Sequence, residues 1–548
     1  MMIAPGKEFN CFVLGVALVV GALLSCAPVT PPPPRQDISS PIIRVGLLEH
    51  RDEVRIEPTG PFYILTLKPN PLKLVPSNGI WKIRVRSGNP AQQHYRIRLF
   101  SSRRKDLARD KAQIFKEKYR SVILETEGEE LMAGDRPILD RRFYSVFLRD
   151  VFTTRSSAEA KIYQLGINHA EIVSFVDKSA RGQLVLEAPN GKSVLIDNAL
   201  RFTGPPIKVY DIDVGKGFHW QRDENRIYRS EIEVYIDRTG KLSVINVLPL
   251  QLYLQGVVPG EMSHGFPLEA LKAQAVAART FFLYHFARKH PNSDFDVCDD
   301  VHCQAFVGKS RETEKTNTAV AETRGVVMVY NDDLCSTPYS AVCGGHTEDA
   351  SSAWHSDGEP YLTGHYDLPE KLVPHSFDLR TEPSARAWID ATPPVYCNLN
   401  TLEEASWADY AKKYLRWQIE LSRFDLQKHI RQFTNSDIGD ITDLVPLRRG
   451  VSGRISELDI IGTRGKIHLE RELVIRRTLS PSTLYSSCFV VEKRGNRELP
   501  HTFVLKGAGW GHGVGMCQIG ASSMAAKGID YAKILRHYYR GIELKRLY

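Results

Sequence analysis

The run Pro259-Gly260-Glu261-Met262 constrains this chain more tightly than any other, because it joins an apolar stretch to an alanine-rich one. The lead-in, Leu248 to Val258, is rich in leucine and valine and reads as a strand. The run-out, Pro267 to His285, places Leu268, Leu271, Ala275, Ala278 and Phe282 on one face of a helix. A strand, a Pro-Gly turn and a helix in immediate succession leave little freedom for the residue between them, which is Glu261. A carboxyl group held at the mouth of such an element is positioned more tightly than one on a free loop, as acid catalysis requires. Spacing alone equally supports a plainer role, an acidic side chain near a helix start, where the dipole favours it.

A second block, Gly507 to Ala521, carries Gly509, Gly511, Gly513, Gly515 and Gly520. The spacing is not that of a phosphate loop, no Lys-Ser/Thr pair follows, and the acidic residue of a dinucleotide site is missing at the expected distance. The glycines suit a backbone that approaches a ligand or bends sharply. Trp510 and His512 then stand out, one able to stack on a sugar face and the other to donate to a sugar oxygen. A packed tryptophan and a structural histidine are the commoner outcome in proteins.

Together the two segments resemble the SpoIID/LytB family of bacterial cell-wall proteins. The resemblance extends to Tyr228-Arg229-Ser230 through Asn246 as opening strands, and to Gly344-Gly345-His346-Thr347-Glu348 as a central Gly-Gly turn. Ser452-Gly453-Arg454, Arg476-Arg477 and the closing run Ile534 to Gly541 fit as well, so residues 225–548 follow the family in order. The resemblance implies a lytic transglycosylase acting on peptidoglycan. In that reaction Glu261, protonated, donates to the oxygen bridging N-acetylmuramic acid and N-acetylglucosamine. The same residue then takes the proton of the muramyl C6 hydroxyl as a 1,6-anhydro ring closes. Ordinary glycosidases need two carboxyl groups; here no water is activated and one is enough. The resemblance also implies glycan strands stripped of stem peptides as substrate, and a groove lined by Gln274, Arg279 and Thr280 beside Trp510 and His512. The plainer reading of those three is solvated or capping positions on an amphipathic helix. Two functions of other classes stay open: a non-catalytic glycan-binding protein that stimulates a cell-wall amidase, and a zinc-dependent wall hydrolase with Glu261 as general base.

Nine cysteines include Cys11 and Cys26, leaving an odd seven that disulfides within one chain cannot consume. Cys298-Asp299-Asp300-Val301-His302-Cys303 offers two thiolates and an imidazole within one loop, with His290 or His285 as a fourth ligand for Zn²⁺. The family resemblance supports such a zinc, in a structural role. A local Cys298–Cys303 disulfide is the alternative that an oxidising exterior would favour. Cys343 and Cys397 flank a central insertion and are candidates to pair, and Cys517 stands where family members usually carry serine.

At 548 residues and 42% hydrophobic, the chain is long enough for more than one core. Its net charge of +8 is spread along the sequence and makes no case for nucleic acid. Lys7 precedes an apolar stretch from Cys11 to Leu24, suited to a signal segment and short for a bilayer span. It ends in Leu23-Leu24-Ser25-Cys26, which resembles a lipoprotein box with Cys26 as the acylated residue; an ordinary cleaved signal peptide is the alternative. A proline-rich tether follows. The expected localisation is therefore export and lipid anchoring to a bacterial membrane, with Ala27 pointing to the outer membrane facing the periplasm.

The fold class expected is α+β: a β-rich N-terminal domain, then a mixed domain with a long helix after the catalytic turn. The expected divisions are a lipoprotein signal (1–26), a tether (27–41), a β-rich region (42–224) and a family domain (225–548). Within the third, two strand–helix units begin at Tyr95 and Phe143 and suggest a small repeat, the second resembling the glycan-binding SPOR module. Within the fourth, Thr401 to Phe433 reads as a helical insertion and Val451 to Val504 as strands.

Overall fold

The computed structural model describes residues 40–66, 72–75, 79–119, 121–167, 169–216, 221–290, 293–355, 357–369, 378–402 and 405–548. The expected signal segment with Cys26, and the tether up to residue 39, lie outside the described residues. Among the described residues no helix is long and apolar enough to cross a membrane. The architecture is α+β, with strands in several sheets around a helical centre.

The central sheet has seven strands in the order Val297–Cys298, Ile42–Arg51, Leu242–Pro249, Glu231–Ile236, Ala199–Thr203, Phe62–Thr66 and Leu72–Val75. Ile42–Arg51 runs antiparallel to Leu242–Pro249, with Ile42 opposite Pro249 and Arg51 opposite Leu242, and parallel to Val297–Cys298 on its other side. Leu242–Pro249 reads as a near-continuous apolar run because both its faces are covered, whereas Ile42–Arg51 is buried mainly through its middle. Ile43, Val45, Leu47, Val244 and Ile245 are all buried. The expected boundary at 224/225 is therefore corrected, since it would cut through one hydrogen-bonded sheet. Alternation in the sequence marks strands but does not say which strands pair, and here the partners lie about two hundred residues apart. A six-stranded sheet, Ser193–Asp197, Arg181–Glu187, Trp81–Asn89, Glu53–Pro58, Ile207–Val214 and Arg222–Tyr228, shares the same apolar core.

The two strand–helix units are present and interleaved. Gln92–Ser102, Lys105–Tyr119 and Val122–Glu127 form the first, and Phe143–Leu148, Arg155–Leu165 and Glu171–Lys178 the second. Their strands make one antiparallel sheet in the order Glu171–Lys178, Gln92–Ser102, Phe143–Leu148, Val122–Glu127, the split βαβ arrangement, over a core of its own. This module grows out of the paired strands Trp81–Asn89 and Arg181–Glu187. Arg141, in the stretch joining its halves, donates to the carbonyls of Leu283 and Tyr284 at 2.9 and 3.1 Å. Those carbonyls belong to the last turn of the long helix, where orphan acceptors and the dipole both favour a cation.

The helical centre corrects two expectations. Leu250–Glu261 is a helix, not the end of a strand. A mostly apolar run of this length suits a buried helix as well as a buried strand, so composition could not decide. The long helix is present as Leu268–His285, but it is not amphipathic: Ala270, Leu271, Ala273 to Thr280, Phe282 and Leu283 are all buried. Helices Leu250–Glu261, Glu314–Glu322, Gln518–Ala526 and Tyr531–Tyr538 pack around it, and its alanines let them approach closely.

The insertion is only partly helical. Turns of 3-10 helix at Leu399–Thr401 and Ser406–Ala411, and a short helix at Lys412–Leu415, lead into a strand, Trp417–Ser422, before the helix Arg423–Thr434. The expected strands after Val451 are interrupted by a helix, Glu472–Leu479. Trp417–Ser422, Arg423–Thr434 and Glu472–Leu479 share a satellite core, and Trp417–Ser422 pairs with Pro500–Gly507, whose end launches the glycine block.

A chain beginning at residue 225 lacks Ile42–Arg51, Phe62–Thr66 and Ala199–Thr203. It is expected to aggregate or to lack a cooperative thermal transition by circular dichroism, whereas a chain beginning at residue 40 unfolds cooperatively. A well-folded 225–548 fragment would contradict the shared sheet.

Candidate active site

Glu261 closes a helix; it does not open one, which corrects the dipole argument made from the sequence. Met262 leaves helical geometry at φ −135°, and its N–H still bonds the Val258 carbonyl at 2.9 Å. The C-terminal end of a helix carries partial negative charge, so this position disfavours a carboxylate. Gly256 and Gly260, one turn apart, explain how the site is built. A Cβ on Gly260 would lie 2.2 Å from the Ala305 carbonyl oxygen, and one on Gly256 would lie 2.5 Å from the Phe306 ring. The two glycines open a groove in the helix surface, and residues 305–308 lie in it, with Val307 N–H bonded to the Gly256 carbonyl at 3.2 Å. That close approach brings Ala305 N–H to Glu261 Oε1 at 2.8 Å.

Two more groups reach the carboxyl, the Tyr339 hydroxyl, which also has Gln304 Oε1 as an acceptor at 3.0 Å, and the Gln518 amide. They come from segments joined by a short parallel pairing, Tyr339 opposite Met516 and Ser340 opposite Cys517. Burial pushes the Glu261 carboxyl above the ordinary glutamate range, and the three hydrogen bonds only partly offset it. The carboxyl opens on a cleft lined by Met262, Phe266, Ala341, Tyr410, Trp510 and Gln518. Among the described residues, Glu261 is the one carboxylate in that lining.

The residues expected at the site fall into three groups. Trp510 joins Glu261 in the cleft. It is partly exposed, its ring lies 4.3 Å from that of Tyr414, and its backbone is clamped to Val342 by two hydrogen bonds. Gln274 and His512 stand one step behind. Gln274 is fully buried and its Oε1 takes a 3.3 Å hydrogen bond from Gln518 Nε2. His512 accepts from Val514 N–H through Nδ1 at 3.0 Å and bonds the Tyr339 carbonyl, so it props the residue whose hydroxyl touches Glu261. Burial lowers its pKa to about 4, leaving a neutral ring near pH 7.

Arg279 and Thr280 do not line a groove. Arg279, fully buried, bonds the Val326 carbonyl at 3.1 Å and Gln251 Oε1 at 3.0 Å, and Thr280 Oγ1 accepts from Met328 N–H. They are scaffold, because the helix that carries them is wrapped on all sides. Ala305, Tyr339 and Gln518 escaped the sequence reading. Gln518 had a signal in its place within the glycine block, whereas a backbone N–H such as that of Ala305 leaves none.

Arg454 binds the remaining motifs into one body. Fully buried, it donates to the carbonyls of Cys343 at 3.1 Å and Gly511 at 3.3 Å and to Ser452 Oγ at 2.9 Å. Ser452 Oγ donates in turn to the buried carboxylate of Glu348 at 2.6 Å. A Cβ on Gly513 would strike the Arg454 guanidinium at 2.4 Å, which is why this loop needs glycine there, at φ +78°.

Cys298, Cys303, His302 and His290 converge, with ligand atoms all within 4.8 Å of one another. His290 Nε2 lies 3.2 Å from Cys303 Sγ, and His302 Nδ1 lies 3.7 Å from both sulfurs. The thiols are free. Two sulfurs and two imidazoles at these separations fit a tetrahedral Zn²⁺ with its positions filled. His285, the other candidate fourth ligand, is not part of the group. Cys303 is two residues from Ala305, so whatever fixes the tetrad also fixes the donor to Glu261. Arg226 secures the same loop through the Phe306 carbonyl at 2.9 Å and Asp299 at 3.3 Å.

Residues 238–330, which hold Glu261, its helices and the tetrad, match the family described as stage II sporulation protein, SpoIID. Residues 348–515 match a domain of unknown function. An uncharacterised protein of Brachyspira hyodysenteriae is 32% identical over 315 residues, covering 57% of this chain and 70% of that protein. Stage II sporulation protein D of Bacillus subtilis is 28% identical over 330 residues, covering 58% of this chain and 79% of the relative. The amidase enhancer of Bacillus subtilis is 28% identical over 304 residues, 53% of this chain; the match spans only 40% of that longer protein. The chain belongs to the SpoIID family.

Gly260→Ala is expected to cost about 1–3 kcal/mol in a denaturant titration, because the new methyl displaces the Ala305 carbonyl. A second expectation concerns pH. A carboxyl whose folded pKa is raised costs nothing below the unfolded value and destabilises the fold as pH rises above it. The stability of Glu261→Gln relative to wild type should therefore increase as pH rises above the ordinary glutamate value of about 4.3, until the raised folded pKa is passed. A constant or shrinking difference would contradict the raised pKa.

Proposed function

We propose that this protein is a peptidoglycan lytic transglycosylase of the bacterial cell wall, with Glu261 as both acid and base. The observation that carries the reading is a lone carboxyl in the cleft, with its pKa pushed up by burial at a helix C-terminus. In the first half of the reaction, protonated Glu261 gives its proton to the bridging oxygen as the muramyl C1–O bond breaks. In the second, the muramyl C6 oxygen bonds to C1, and Glu261, now a carboxylate, takes the C6 hydroxyl proton. The proton count closes without water, so no second carboxylate is needed to activate one. Ala305 N–H, the Tyr339 hydroxyl and the Gln518 amide hold the carboxylate between the two transfers, and Trp510 offers an aromatic face to a sugar ring.

The tetrad His290, Cys298, His302 and Cys303 would hold Zn²⁺ as a structural ion. With four protein ligands it has no position left for water, which disfavours a zinc hydrolase. Peptide-stripped glycan is the substrate that fits the family resemblance. Export, with anchoring through Cys26 to the outer membrane facing the periplasm, is the localisation that fits the N-terminal sequence.

A second reading has one observation in its favour, the relative named amidase enhancer. On that reading the protein binds glycan without cutting it and stimulates a cell-wall amidase. Purified protein incubated with peptide-stripped glycan strands separates the two by mass analysis of the strand ends. The transglycosylase produces 1,6-anhydromuramyl ends, lighter by one water than reducing ends, and Glu261→Gln lowers their release by about 10²–10⁴-fold. Intact strands, reducing ends, or undiminished release from the Glu261→Gln variant would overturn it.

A further inference from the structure

A second cluster of metal-ligating groups lies apart from the His290–Cys303 tetrad. Cys343, Asp367, Cys397 and Cys517 bring one ligand atom each within 4.8 Å of the others, and all four residues are buried. We propose that they form a second metal centre, a Cys3Asp site for Zn²⁺ that locks together the two segments presenting Tyr339 and Gln518 to Glu261.

The spacing favours a metal over a disulfide. Cys343 Sγ and Cys397 Sγ are 3.6 Å apart. A disulfide would hold them at about 2.0 Å, whereas two thiolates on one tetrahedral zinc lie about 3.8 Å apart. The carboxylate is equally well placed, with Asp367 Oδ2 3.2 Å from Cys343 Sγ. A thiolate-rich, water-free set of four donors selects zinc over the hard cations.

The surroundings are those of ligands, not of spare thiols. Cys517 Sγ accepts N–H bonds from Cys343 at 3.2 Å and Gly520 at 3.3 Å, and Cys343 Sγ accepts from Gly345 N–H at 3.3 Å. Such donors stabilise a thiolate, and Cys517 also caps the N-terminus of helix Gln518–Ala526, where negative charge is favoured. The second oxygen of Asp367 is held by the Tyr538 hydroxyl at 2.9 Å and His537 Nε2 at 3.2 Å, which orients the carboxylate toward the sulfurs. The seat has been cleared for it, since a Cβ on Gly520 would fall 2.5 Å from Asp367 Oδ2.

The consequence lies at the active site. Cys517 is paired with Ser340 and is followed by Gln518, while Ser340 is preceded by Tyr339. A metal bound here ties two of the three Glu261 donors to the central turn at Cys343, as the first tetrad ties the third donor, Ala305.

Zinc content of the full-length protein, measured by mass spectrometry under native and denaturing conditions, tests this. Expected is one zinc that is lost in Cys517→Ser and kept in a Cys298→Ser/Cys303→Ser variant, beside any zinc held by the first tetrad. Wild-type protein should also show Cys343, Cys397 and Cys517 as reduced thiols by non-reducing peptide mapping, which needs no variant to fold. A Cys343–Cys397 disulfide, or zinc that is unaffected by Cys517→Ser and wholly lost with Cys298 and Cys303, would overturn the proposal. The metal count does not depend on catalysis, so it can fail or succeed separately from the transglycosylase reading.

Discussion

The contact on which the active site depends is the packing of residues 305–308 into the groove left by Gly256 and Gly260. Without that groove the Ala305 N–H could not reach Glu261, and the carboxyl at the end of its helix would be desolvated with one fewer donor. The burial raises its pKa and the donors limit the rise, so the same geometry serves a protonated acid and a transient carboxylate. The helix C-terminus and the otherwise apolar cleft act in one direction, toward a carboxyl that gives up its proton reluctantly and takes one back readily, and the three donors act against them.

Each donor is fixed from a different direction. Ala305 is held by the loop of Cys298, His302 and Cys303, Tyr339 by the backbone contact of His512, and Gln518 by Gln274 from the wrapped helix. Behind them Arg454, Glu348 and Ser452 cross-link the Gly-Gly turn, the Ser-Gly-Arg turn and the glycine block. Many of the residues that make the family resemblance thus serve to hold backbone segments together. Gly513 is glycine because a guanidinium lies against it, and Gly520 because the Tyr538 hydroxyl and the Asp367 carboxylate do.

Much of the centre was legible from sequence. The long alanine-rich helix stands where the residues pointed, and the structure brings Trp510 to the Glu261 cleft and Cys298, His302, Cys303 and His290 to one place. Local periodicity misread Leu250–Glu261, because an apolar run of that length fits a buried helix or a buried strand equally well. The early strand Ile42–Arg51 escaped assignment to the family domain because pairing across distant segments leaves no local mark. Arg279 and Thr280 misled for a related reason: polar residues on a helix suggest a solvated or ligand-facing side, yet here both are buried and bond to the elements wrapped around the helix, Arg279 to Val326 and Gln251 and Thr280 to Met328.

The most direct test of the central claim is the titration of the Glu261 carboxyl itself, read by ¹³C NMR of side-chain-labelled glutamate and assigned by the signal lost in Glu261→Gln. The expected midpoint lies above the ordinary glutamate value of about 4.3. A midpoint at or below that value would mean that the three donors outweigh burial and the helix end, and the carboxyl would be ionised when it is needed as an acid.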